Sequence, residues 1–70
     1  MSKEINYIFG NNLRKIRMLK NLTQLQLALE VDLDTTTISK YEIGSRCPTL
    51  KTADKIAKVL GVKLSELIEE

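Results

Sequence analysis

Seventy residues, 43% hydrophobic and 29% charged, make one small globular domain with no room for a substrate pocket beside its core. With no histidine and a single cysteine, Cys47, the chain holds neither a metal-ligand set nor a nucleophile–base constellation. No cofactor and no enzymatic activity are therefore expected. The net charge of +2 is uneven: residues 1–20 carry +4, 21–44 carry −3, 45–60 carry +3 and 61–70 carry −2.

No apolar run approaches membrane-spanning length, and "MSKEINYIFG" lacks the apolar stretch of a signal peptide. A cytoplasmic protein is expected, with Cys47 a reduced and partly buried thiol. Strand signals are nearly absent, and helix signals follow one another along the chain.

Ile5, Phe9, Leu13 and Ile16 fall at helical spacing with basic residues between them, predicting a first helix over about Asn6 to Leu19. Thr23 and Gln26 form a capping box and Leu22 with Leu27 a hydrophobic staple, so a second helix runs from Gln24 to about Val31. Asp34 is an N-cap and Leu33 with Ile38 repeats the staple, predicting a third helix from Thr35 to about Ile43. Gly44 then supplies the left-handed residue that closes it.

After the loop "SRCPT", Thr49 caps a fourth helix that places Leu50, Ala53, Ile56, Ala57 and Leu60 on one face, closed by Gly61 and Val62. A fifth short helix holds Leu64, Leu67 and Ile68 inward. Lys63 before it is a poor cap, so this helix is expected to fray. The second and third helices are joined so tightly that they must cross steeply, as in a helix-turn-helix. Leu27, Ala28, Val31, Leu33 and Ile38 are core by this pattern, and Ala28 and Ser39 are small where helices must approach. Lys51, Lys55 and Lys58 read as a solvated face.

The residues "TQ" at 23–24, "LA" at 27–28, "TISKYE" at 37–42, Gly44, "PTL" at 48–50 and "IAKVLGV" at 56–62 together resemble the lambda repressor-like, Cro/C1-type (XRE) helix-turn-helix family. The resemblance covers about residues 9–68 and implies an all-α, five-helix DNA-binding domain with helices 2 and 3 as the motif. It implies that Thr35, Thr36, Thr37 and Lys40 face the major groove, with Thr37 able to reach a phosphate instead. The other role open to the threonine run is closing the amides of the helix's first turn, but Asp34 already caps it. The resemblance further implies phosphate contacts from Gln24, with Thr23, Asn21, Ser45 and Arg46 as additional ones. It also implies an Arg17–Glu42 salt bridge that fixes the angle of the third helix.

A sequence-specific regulator, a repressor, follows from that resemblance. It would act on double-stranded DNA as a homodimer on a pseudo-palindrome, through Val62, Leu64, Leu67 and Ile68. Three features depart from the family. Asp32 stands where glycine is common, at a site needing a left-handed backbone. Ile43 replaces a residue that is usually polar. Leu25 and Leu29 lie four apart on a face usually charged: they are exposed leucines, cover the first helix, or form a ridge for a protein partner. The last option, with the −3 charge of residues 21–44, supports a competing reading as a protein-interaction module that has lost operator reading.

Overall fold

The computed structural model describes residues 2–70, with side chains from Glu4 onward. Five helices follow in order: α1 (Ser2–Leu19), α2 (Gln24–Val31), α3 (Thr35–Glu42), α4 (Leu50–Leu60) and α5 (Leu64–Ile68), with no strand among the described residues. None of these helices is long and apolar enough to cross a membrane.

Three helix starts follow the side-chain oxygens predicted for them. Thr23 Oγ1 accepts from Gln26 N–H at 3.0 Å while Gln26 Oε1 accepts from Thr23 N–H at 2.8 Å, completing the capping box of α2. Asp34 Oδ1 accepts from Thr37 N–H at 2.8 Å, and Thr49 Oγ1 accepts from Thr52 N–H at 3.2 Å. The first helix begins earlier than the sequence pattern predicted, at Ser2 instead of Asn6, because nothing in "SKEIN" stops it.

The first four helices end on one device. The backbone turns left-handed at Asn21 (φ 58°), Asp32 (φ 64°), Gly44 (φ 79°) and Gly61 (φ 72°). The next residue then reaches back five positions: Leu22 N–H to Arg17 O, Leu33 to Ala28, Ser45 to Lys40 and Val62 to Ala57, at 2.9–3.1 Å. Two of these positions hold Asn and Asp, the non-glycine types that tolerate this conformation best. Ile43 lies just past the end of α3, still in right-handed backbone (φ −91°, ψ 0°).

Burial follows the periodicity. Phe9, Leu13, Leu27, Ala28, Val31, Ile38, Tyr41, Ala53, Ile56, Ala57, Leu60 and Leu67 form the core, and Ile16, Leu22, Leu33, Val59, Val62 and Leu64 pack against its rim. Each fully buried aliphatic side chain contributes roughly 2 kcal/mol. Phe9 meets Tyr41 edge-on at 6.3 Å between ring centroids, which ties α1 to α3. Next to Phe9 in the chain, Gly10 brings the two backbones together: an added Cβ would overlap the Tyr41 carbonyl oxygen and stand 2.7 Å from that of Glu42.

The fifth helix is held more firmly than its start suggested. Glu66 Oε2 accepts from Lys63 N–H at 2.9 Å. At the other end Asn12 Nδ2 donates to the carbonyls of Leu67 (3.0 Å) and Glu69 (2.7 Å).

Candidate nucleic-acid interface

The short turn Asp32–Leu33–Asp34 sets α3 across α2, with Leu33 packed on the core and both aspartates exposed. In the first turn of α3 Thr36 is exposed, while Thr35 and Thr37 are half-buried. Lys40, one turn beyond Thr36, is exposed on the same side. Hydrogen bonding from Thr37, side chain before backbone, holds the Asp34 carboxyl below its ordinary value of 3.8. The cap of α3 is therefore an ionised carboxylate at neutral pH, which leaves the Thr35 and Thr36 side chains without a capping task.

At its other end α3 meets the start of α2 and the last turn of α1 through one buried carboxylate. Glu42 Oε2 receives Arg17 Nε–H at 2.6 Å, and Glu42 Oε1 receives Arg17 Nη2–H at 3.1 Å. The Arg17 and Glu42 side chains are 12% and 3% exposed, so this pair is largely withdrawn from water. The guanidinium also donates through Nη1 to Leu22 O at 2.7 Å, fixing the turn between α1 and α2. Gln24 Nε2 makes a further bond to Glu42 Oε1 at 3.0 Å, a contact nothing in the sequence pattern announced.

The remaining polar positions divide. Thr23 and Asn21 are exposed, Thr23 occupied in the α2 cap and Asn21 holding the left-handed turn. Ser45 and Arg46, both exposed, follow the closing turn of α3, and Ser45 Oγ donates back to Lys40 O at 3.3 Å. Behind them, burial pushes the pKa of the Tyr41 hydroxyl up. The lysines of α4 are exposed, with Lys58 paired to Asp54 at 3.3 Å.

Several expectations require correction. Leu67 packs inward as the helix pattern predicted and is fully buried where α5 lies against α1, so it offers no surface to a partner. Val62 and Leu64 are half-buried against the core, and Ile68 is 43% exposed. Cys47 is exposed rather than partly buried, because its loop runs over the surface. Leu25 and Leu29 are 57% and 71% exposed and do not cover α1. Ile5, one turn before Phe9, is 38% exposed at the edge of the core.

An apolar groove went unseen in the sequence. Ile5, Pro48, Leu50, Leu64 and Ile68 line it, with Phe9 and Ala53 at its floor, and Leu50 at its rim is 75% exposed. Its parts lie on α1, α4, α5 and the loop before α4, so no single segment's periodicity displays it.

Residues 13–67 match the sequence model of a family described as helix-turn-helix. The chain is 41% identical over 70 residues to control protein C.BamHI of Bacillus amyloliquefaciens, covering 99% of this chain and 86% of that protein. It is 41% identical over 68 residues to control protein C.MunI of a Mycoplasma species, covering 96% of this chain and 92% of that one. The crystal structure of the restriction-modification controller protein C.AhdI from Aeromonas hydrophila superposes with a TM-score of 0.84 at 34% identity, over 89% of this chain and 94% of that one. The chain belongs to the helix-turn-helix family, of the Cro/C1 (XRE) type, whose members are DNA-binding transcriptional regulators and not enzymes.

Proposed function

We propose that this chain binds a pseudo-palindromic operator as a homodimer, laying the start of each α3 in the major groove, and controls the locus that carries the operator. The observation that supports this best is the division of labour along α3. Its cap and core contacts are supplied by Asp34, Ile38 and Tyr41, so Thr36 and Lys40 stand exposed without a structural task. Eight helical residues span about 12 Å, the width of the major groove, so both ends of α3 lie within reach of the groove walls. Thr35 and Thr36 then meet base edges, with thymine methyls favoured by their own methyl groups, and Lys40 donates to guanine O6 or N7. Thr37, already bonded to Asp34, is better placed for a phosphate.

The backbone is gripped by Gln24 and Thr23 at the start of α2 and by Ser45 and Arg46 in the loop after α3, with Asn21 as a further contact. Asp32 and Asp34 lower affinity for arbitrary DNA, so that binding depends more on the right bases. The dimer surface is the apolar groove, with Leu50, Leu64 and Ile68 as its principal contacts, and half-sites lie about 34 Å apart. Repression by occupancy is the activity such a complex provides, since it needs no surface beyond the one on DNA. The likeness to control proteins points to a restriction-modification locus as its setting, in the cytoplasm.

Selection from random duplexes, followed by salt titration, tests the reading. A dyad-symmetric motif enriched at nanomolar protein is expected, with sedimentation showing two chains per duplex. Recovery of no motif, with only steeply salt-dependent binding, would refute it and favour the protein-interaction reading through the exposed Leu25 and Leu29.

A further inference from the structure

We infer that Glu42 is a positioning residue for DNA binding, acting through Gln24: its buried carboxylate holds the Gln24 amide aimed at the backbone phosphate. The inference rests on the DNA reading above. Glu42 lies at the end of α3 with its side chain 3% exposed, and it cannot itself reach DNA. Its two oxygens accept three hydrogen bonds, two from Arg17 and one from Gln24 Nε2 at 3.0 Å. A primary amide carries two N–H groups, and this contact uses one. The second N–H has no partner among the described residues, and Gln24 is itself the first residue of α2, at that helix's first backbone amides. Of these, Gln26 N–H is already taken by Thr23, whereas Gln24 and Leu25 N–H have no partner within the helix.

A free glutamine at this position samples many rotamers, and a phosphate must freeze them on arrival. The bond to Glu42 freezes them in the free protein, so binding loses less entropy. The negative charge this brings near the phosphate is offset on the spot by the Arg17 guanidinium at 2.6 Å. Arg17 neutralises, Glu42 orients and Gln24 touches.

Two pairs of substitutions isolate the oxygen atom that matters. Arg17→Met with Glu42→Met removes the ion pair and the acceptor together. Arg17→Met with Glu42→Gln removes the same charges but keeps an amide oxygen for Gln24. The two proteins have equal charge, and electrostatics or helix-angle effects of losing Arg17 are common to both. Against a selected operator duplex, the pair with Gln at 42 should bind about five-fold tighter than the pair with Met. That difference should fall below two-fold when Gln24→Ala is added to each, the signature of action through Gln24. Equal affinities, or a difference that survives Gln24→Ala, would overturn the inference while leaving operator binding by the parent protein intact. A parent protein that enriches no motif would overturn both.

Should either pair fail to fold, side-chain relaxation of Gln24 Nε2 in the free parent protein decides. An amide as rigid as the backbone supports the inference, and one as mobile as an exposed side chain overturns it.

Discussion

Replacing Glu42 alone should be far more damaging than replacing Glu42 and Arg17 together. In Glu42→Met the guanidinium, 12% exposed, keeps its bond to Leu22 O but loses both contacts to the carboxylate. Breaking a buried pair from one side costs about 3–5 kcal/mol, and the surviving bond to Leu22 puts this case near 3. Arg17→Met strands a carboxylate that is 3% exposed with Gln24 as its remaining donor, a loss of about 3–4 kcal/mol. A domain of this size is worth only about 5 kcal/mol, so each single variant loses more than half its stability. The double Met variant leaves no unpaired charge, only the Leu22 carbonyl without its donor, and should fall within about 1 kcal/mol of the parent. Urea denaturation at pH 7 and 25 °C reads all four proteins, and the cycle should show coupling of about 5 kcal/mol. Single variants each costing under 1 kcal/mol, or a double variant as unstable as the sum of the two, would refute this account of the pair.

Gly10→Ala should destabilise the protein by about 2 kcal/mol in thermal or urea unfolding. The close backbone contact with α3 outweighs the roughly 1 kcal/mol that alanine gains in a helix. The double variant Thr35→Ala/Thr36→Ala should leave the melting temperature unchanged within a degree or two while weakening operator binding about ten-fold and flattening its base preference, measured by fluorescence anisotropy on matched and mismatched duplexes. Stability should fall as pH drops below about 3.8, because Asp34 has its pKa lowered by folding: its contribution is full above the unfolded value and lost as the carboxyl protonates. Asp34→Asn should remove that part of the acid transition in a pH series of urea melts. Leu50→Glu should abolish the proposed dimer, read by sedimentation, without lowering the folded chain's own stability, since Leu50 is 75% exposed.

Most of the fold was legible because its signals are local. A cap and its partner sit three residues apart, as at Thr23, Asp34 and Thr49, and a closing glycine is adjacent to the helix it ends. The left-handed Asp32 was legible through the family resemblance instead, as the residue standing where glycine is common. Asn21 was not, because an asparagine is equally at home in a turn, at a cap or on a phosphate. The inward placement of Leu67 was legible, but its use on a partner surface was not excluded, because five residues are too few to define a face. How deeply each of Leu64, Leu67 and Ile68 is buried is set by packing against α1, far away in the chain. Asn12 illustrates the same limit, since its partners at Leu67 and Glu69 are separated from it by 55 and 57 residues. The Gln24–Glu42 bond and the groove beside Leu50 are likewise products of tertiary placement, with no periodic trace.

The threonines of α3 bring these two kinds of information together. A β-branched run is a poor start for an eight-residue helix, and in isolation this segment would not be helical. It is helical here because both ends are closed by other residues: Asp34 before it, Gly44 and Ser45 after it. Ile38 and Tyr41 bury its inner side, and Glu42 binds its last turn to α1 and α2. The helix is thus specified almost without reference to Thr35, Thr36 or Lys40. Positions that contribute so little to the fold can change from one sequence to another at little cost in stability, which is the condition under which a fixed scaffold can be fitted to different operators.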